Sequence, residues 1–449
     1  MRNIFKQLTT KSEDQRTNLL KKNILYSFLI KGWSSLVQLI LVPLTLNCLN
    51  QYEYGIWLTI NSLLIWIDTF DIGLGNGLRN NLTIAIAQNN RERGRKLVST
   101  TLVMLTIIVS VILFIVISLL HFVDAYKVLN VDIRQVSNLN DIIAVSIALV
   151  AATFIFKFIG NIYLAMQLPA VNNLIVALGQ TVSLLGIYFL SLTQQVNLIQ
   201  VAVVYTASPL LVYLCSYPIT FTKYSYLRPS LQLFDRTELK SLFSLGIRFF
   251  IAQIAGLVIF ASSNLIISHI FSPKEVTPYQ IVYRYFGMTN ILFTLISAPL
   301  WSATTDAYTR GDWDWIKRNM TKMHKVVLLM IGLLGVMFLV ATPVYHLWVG
   351  KNIVITQTLS LLMAIYMVFI IIGTCYSNML CGFGKIQVLT LVTIIEAIIY
   401  IPLALLLSKH LGTTGIILAL VIVNAFSAVT NKIQFDKIMH GTARGIWNK

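Results

Sequence analysis

Seven charged residues lie well inside long apolar stretches of this chain, away from their ends, and its chemistry must be sought there first. Lys31 and Arg248 each sit seven or eight residues into such a stretch, which along a helix is roughly 10–12 Å. Cations at matching depth suit an anionic cargo held by charge-assisted hydrogen bonds. The competing reading is that their long stems carry both charges back to the headgroups. Arg284 lies six residues into its stretch from the opposite side and carries the same two readings, whereas Lys157, near the end of its stretch, reads as a headgroup anchor. Asp68 and Asp71, three residues apart, share a helical face, and Glu396 stands alone. A carboxylate in hydrocarbon is costly enough to need a reason. One reason is ion coupling, through uptake and release of a proton or Na⁺. The other is structural, through a buried cation partner or a broken helix end.

The elements that position these groups follow from composition. Hydrophobic residues make up 57% of the chain and charged residues 11%, with a mean hydropathy of +0.76. A soluble domain is about a quarter charged, so this chain lacks the polar surface to cover itself in water. Twelve apolar runs are long enough to cross a bilayer: 23–46, 56–78, 97–120, 140–160, 171–192, 198–221, 241–270, 279–303, 324–348, 354–380, 387–408 and 414–431. They are continuous and helix-length, unlike the short alternating segments of a β-barrel. The expected fold is an all-α integral membrane protein.

Lys and Arg give the orientation. With the N-terminus cytoplasmic, the segments on that side hold 25 of the 34 basic residues and the opposite loops hold 5. This positive-inside bias predicts that both termini are cytoplasmic. It also accounts for the net charge of +17 without nucleic acid, for which no binding motif is present. The N-terminal 22 residues are polar and basic and do not read as a cleaved signal peptide.

A weak internal repeat runs through the chain. Ser27-Phe28-Leu29-Ile30-Lys31 matches Ser244-Leu245-Gly246-Ile247-Arg248, an offset of 217 residues. Each span is followed by a short corner, Tyr52-Glu53-Tyr54-Gly55 and then Lys274-Glu275-Val276 with Tyr279. Each next span ends in a basic amphipathic loop, at Arg91–Arg95 and Arg310–Trp315. The repeat predicts two six-helix lobes, 1–222 and 223–449, related by a pseudo-two-fold axis normal to the membrane.

The stretch 52–79 carries a family pattern: Tyr54-Gly55-x-Trp57, then Asp68-x-x-Asp71-x-Gly73-Leu74-Gly75-Asn76-Gly77, then a basic loop. It resembles the polysaccharide flippases, the O-antigen-type lipid-linked oligosaccharide translocases of the multidrug/oligosaccharidyl-lipid/polysaccharide exporter superfamily. The resemblance implies a two-lobed bundle with a central cavity opening to alternate sides. It implies a polyprenyl-diphosphate-linked glycan as cargo, polysaccharide-assembly proteins as partners, a monomer, and the bacterial cytoplasmic membrane as location. A diphosphate would suit Lys31, Arg248 and Arg284; Asp68, Asp71 and Glu396 are the ion-coupling candidates.

Other chemistry is poorly supported. Cys48, Cys215, Cys375 and Cys381 form no CxxC, the six histidines make no metal-binding pair, and no phosphate-binding loop or ATP-binding cassette is present, so neither metal nor cofactor is expected. The Gly-rich run 73–77 lacks the spacing and preceding strand of a dinucleotide site. Exterior loops are too short for a glycan polymerase or ligase, which argues for a transporter and against an enzyme. A multidrug exporter of the same superfamily is the alternative; its usual cationic cargo would want an acidic cavity, and here four buried-segment cations face three acids. Trp33, Trp57, Trp66, Tyr163, Tyr283, Tyr285, Trp301 and Tyr308 could line a sugar path or form interfacial belts.

Overall fold

In lipid every backbone polar group must be satisfied within the segment, so the long apolar runs form helices. A computed structural model describes residues 13–69, 74–166, 168–193 and 195–448; the side chains of Asp68 and Arg248 lie outside the described set, as does Asp71 altogether. Sixteen helices are described: α1 (Glu13–Cys48), α2 (Gln51–Thr69), α3 (Leu74–Ala87), α4 (Arg91–Phe122), α5 (Ala125–Leu129), α6 (Leu139–Phe156), α7 (Phe158–Ala165), α8 (Pro169–Ser191), α9 (Leu198–Lys223), α10 (Arg236–Ile270), α11 (Pro273–Thr309), α12 (Trp313–Leu339), α13 (Ala341–Val349), α14 (Gln357–Phe383), α15 (Gln387–Leu411) and α16 (Thr413–Met439). Among the described residues none is in a strand.

Among the described residues nine helical stretches are long and apolar enough to cross a membrane, and the helices depart from the apolar runs at several points. The apolar run 140–160 is divided at Lys157 into α6 and α7. The loop after α4 contains α5, held by Asp124, whose side chain accepts from the backbone N–H of Tyr126 and Lys127. The helix α12 begins at Trp313, because the Asp312 carboxylate caps it at the Trp315 N–H, 2.9 Å away. A capping box, Asn197 with Gln200, starts α9. Large apolar side chains such as Phe114, Leu339 and Leu347 remain exposed, as lipid-facing residues should. Hydroxyls inside the helices are quenched by the preceding turn, for instance Thr45 donating to the Leu41 carbonyl and Ser62 to that of Leu58.

The packing forms two compact units. The first gathers the described residues up to Cys48 with Ile67–Phe122 and Asn140–Phe250. Its core sets Leu74, Leu78 and Leu82, one stripe of α3, among Leu97 of α4, Phe158 of α7 and Leu242 of α10. The second gathers Leu49–Trp66, Val123–Leu139 and the chain from Ile251 onward. Its core is richer in tyrosine and methionine, with Tyr366, Tyr400, Met363 and Met379 fully buried.

Candidate functional site

In the first unit, Lys31 is exposed on α1, which packs along α8. Among the described residues no acid reaches its ammonium, and its carbonyl accepts from Ser35 Oγ at 3.0 Å. Trp33, two residues on, is also exposed and donates its indole N–H to Thr181 Oγ1 on α8 at 3.0 Å. Arg248, its counterpart in the repeat, lies on α10, but its side chain is outside the described residues. The same is true of Asp68, while Asp71 falls outside them entirely.

Arg284 belongs to the second unit. It is half-buried on α11, within electrostatic reach of the buried Tyr54 hydroxyl. Glu396 is buried on α15, with its carboxyl group against Ser427 of α16 and near Tyr366 of α14. Among the described residues no cation neutralises it. Of the aromatic candidates, Trp57, Tyr163 and Tyr285 are core residues: Tyr163 shares a hydrogen bond with Thr220 at 2.9 Å, and Tyr285 donates to the Met337 carbonyl at 3.0 Å. Trp33 and Trp301 are exposed.

The corner 52–57 is structural. Tyr54 and Trp57 are buried in the second unit, and Gly55 packs on the start of α11 so closely that a Cβ would collide with the Pro273 carbonyl. Gln51 Nε2 donates to the Lys274 carbonyl at 3.1 Å, and Thr277 Oγ1 donates to the Gln51 carbonyl at 2.8 Å. The two repeat-related corners therefore bind each other. Deeper along α2, Asn264 of α10 donates to Ser62 Oγ at 2.6 Å, and Gln280 of α11 donates to Asn264 Oδ1 at 2.8 Å. Sequence reading missed this uncharged chain.

The far end of the motif packs in the first unit. Gly77 lies against Leu242, where a Cβ would strike the Leu242 carbonyl, and Asn81 donates to the Ser241 carbonyl at 3.0 Å. Beside it Arg93 binds Glu238 through two nitrogens, Nε to Oε1 at 2.8 Å and Nη2 to Oε2 at 3.2 Å. That hydrogen bond holds the Glu238 carboxyl below its ordinary range. Arg95 donates to the Arg228 carbonyl at 2.8 Å, and Ser99 and Thr100 accept the N–H groups of Ser230 and Asp235. The connection between α9 and α10 is thereby strapped to α4.

Nine membrane-length apolar helical stretches among the described residues, with charged and polar side chains inside the apolar runs, define a multi-pass membrane protein. Solved structures share the fold. A multidrug resistance MATE family transporter of the MOP superfamily in its inward-facing conformation aligns with a TM-score of 0.76, over 93% of this chain and 98% of its own, at 15% identity. The outward-facing conformation of such a transporter aligns with a TM-score of 0.65, over 94% of this chain and 96% of its own, also at 15% identity. The MatE family model matches residues 249–406.

The model of the polysaccharide biosynthesis protein family matches residues 20–303, and the chain belongs to that family. Its curated relatives include a Yersinia pseudotuberculosis protein assigned to O-antigen export, 20% identical over 86% of this chain and 89% of the relative. A Salmonella typhimurium LT2 protein assigned as an O-antigen transporter is 22% identical over the same shares.

Proposed function

We propose that this protein flips a polyprenyl-diphosphate-linked oligosaccharide from the cytoplasmic to the outer leaflet of a bacterial inner membrane. The observation that carries this reading is the polysaccharide-biosynthesis match over 20–303, which includes the Tyr54–Gly77 pattern. The mechanism is alternating access between two six-helix halves, 1–222 and 223–449, with both termini cytoplasmic and the lipid tail left in the bilayer. Lys31, Arg248 and Arg284 bind the diphosphate as it passes, since a multiply charged anion is best held by Lys and Arg donors in a site of low dielectric. Asp68, Asp71 and Glu396 are the groups that tie translocation to an ion gradient. The protein works as a monomer alongside the enzymes that assemble the glycan.

A second reading, export of small cationic compounds, is favoured by the MATE-type fold and the MatE match over 249–406. Lys31, exposed and with no acid partner among the described residues, counts against a cationic cargo. Complementation of a flippase-deficient strain with a defined glycan separates the two. Restored surface polysaccharide supports flipping. Restored resistance to cationic dyes, without polysaccharide, replaces it with drug export.

A further inference from the structure

Among the described residues, Glu396 Oε1, Asn431 Oδ1 and Gln434 Oε1 are buried acceptor oxygens of the second unit with no protein donor, as are Asn290 Oδ1 on α11 and the Tyr366 hydroxyl beside Glu396. Glu396 is 5% exposed, Asn431 2% and Gln434 0%. Orphaned acceptors at this depth are costly and are normally satisfied by ordered water. The placement of Glu396, Asn431 and Gln434 follows one line. Ser427, Asn431 and Gln434 recur at intervals of four and three residues on α16, so they share one helical face and span roughly 10 Å along its axis. Ser427, at one end, lies against Glu396. Gln434, at the other, donates its amide to the carbonyls of Lys385 at 3.2 Å and Trp447 at 3.3 Å.

We propose that Glu396 is a proton-binding site and that the amide face of α16 is a hydrated path joining it to the Lys432/Lys437 end of that helix. The groups around Glu396 favour a proton. Tyr366 of α14 stands nearby, and Tyr279 and Tyr283 of α11 and Tyr400 of α15 surround Tyr366. Tyr400 is already hydrogen-bonded to Ser263 of α10 at 2.6 Å. Ser427 is the contact from α16. These are hydroxyl groups, neutral in the physiological range. An ionised Glu396 therefore has no counter-charge among the described residues, and its burial in that form is expensive. Taking up one proton turns the carboxylate into a neutral acid with a hydrogen to donate.

The path ends under a cap. The C-terminal turn, Gly445–Asn448, sits over Gln434. It is held by Lys437 above the Trp447 ring, 4.2 Å from its centroid, and by Lys385 Nζ donating to the Asn448 carbonyl at 2.8 Å. The path thus opens beside Gln434, where the tail meets the turn between α14 and α15.

The inference rests on reading the chain as an ion-coupled transporter, but its test needs no cargo. The full-length protein in lipid is titrated with acid, and then exchanged into deuterated buffer, while its carboxyl infrared band is followed. A band absent in Glu396→Gln, shifted in Glu396→Asp and insensitive to Na⁺ at fixed pH is the expected result. Asn431→Leu with Gln434→Leu should keep the band and slow its deuterium shift by about tenfold or more, because the water partners are lost. The site is overturned if Glu396→Gln keeps the whole band, if Glu396→Asp leaves its position unchanged, or if Na⁺ removes it. The path is overturned if the double variant exchanges at the parental rate. Failure to restore surface polysaccharide with these bands intact would sink the flippase reading and leave the proton site standing.

Discussion

Arg93 and Glu238 stand 145 residues apart in the chain and meet through two nitrogen–oxygen contacts at 2.8 and 3.2 Å. The pair ties the start of α10 to α4, next to the Gly77–Leu242 contact. Its geometry is planar and two-pronged, the arrangement in which Arg outperforms Lys.

Replacing Glu238 by Gln should cost about 1–2 kcal/mol in thermal unfolding of the detergent-solubilised protein, and Arg93→Lys should recover only part of an Arg93→Ala loss. The pH dependence has a fixed sign. Because Arg93 lowers the folded-state pKa of Glu238, the stabilisation is full above the unfolded glutamate value and disappears as pH falls through the folded one. Acid scans of parent and Glu238→Gln should converge at low pH and separate toward neutrality. Curves that stay parallel throughout would show that the pair contributes nothing.

Gly55→Ala and Gly77→Ala should each destabilise by about 1–3 kcal/mol or prevent accumulation, since both place a methyl group against a backbone carbonyl that cannot turn away. Gly32→Ala meets open space and should leave yield and melting temperature unchanged. Fluorescence-detected size exclusion of the three variants makes the comparison. Equal profiles for all three would refute close packing as the reason for the two motif glycines.

Asn264→Ala leaves Ser62 and Gln280 without their shared partner and should cost about 1–3 kcal/mol. In a double-mutant cycle with Ser62→Ala the losses should be less than additive, by about 0.5 kcal/mol or more. Strict additivity would mean the 2.6 Å contact carries no energy.

Lys31→Ala and Arg284→Ala should each abolish surface polysaccharide in a complemented strain while the protein level stays constant, and Lys31→Arg should retain export. Full export by both alanine variants would remove these side chains from the cargo path and leave them as headgroup anchors.

Hydropathy made the helical passes legible, because lipid exposure is a property of each segment alone. Partners are not. The break between α6 and α7 falls at Lys157 inside one apolar run, and the Ser62–Asn264–Gln280 chain consists of uncharged residues that a census of formal charges passes over. Gln434 shows the same blind spot. Position alone puts it in the polar tail after 431, yet α16 continues to Met439 and buries it completely. The motif at 52–57 was readable as a corner. Its partner, the other corner of the repeat, was not, since nothing local to Gly55 specifies Pro273. For Arg248, Asp68 and Asp71 the sequence expectation is all there is, because their side chains lie outside the described residues.

The contact between Gly55 and Pro273 also sets a clock. The two are 218 residues apart, and at a synthesis rate of about 5–20 residues per second the earlier one leaves the ribosome roughly 10–40 s before the later. During that interval α2 is in the bilayer with no Pro273 to receive its glycine face. Its first partners must be lipid or an insertion chaperone, and the second unit can close only after the chain has passed its midpoint.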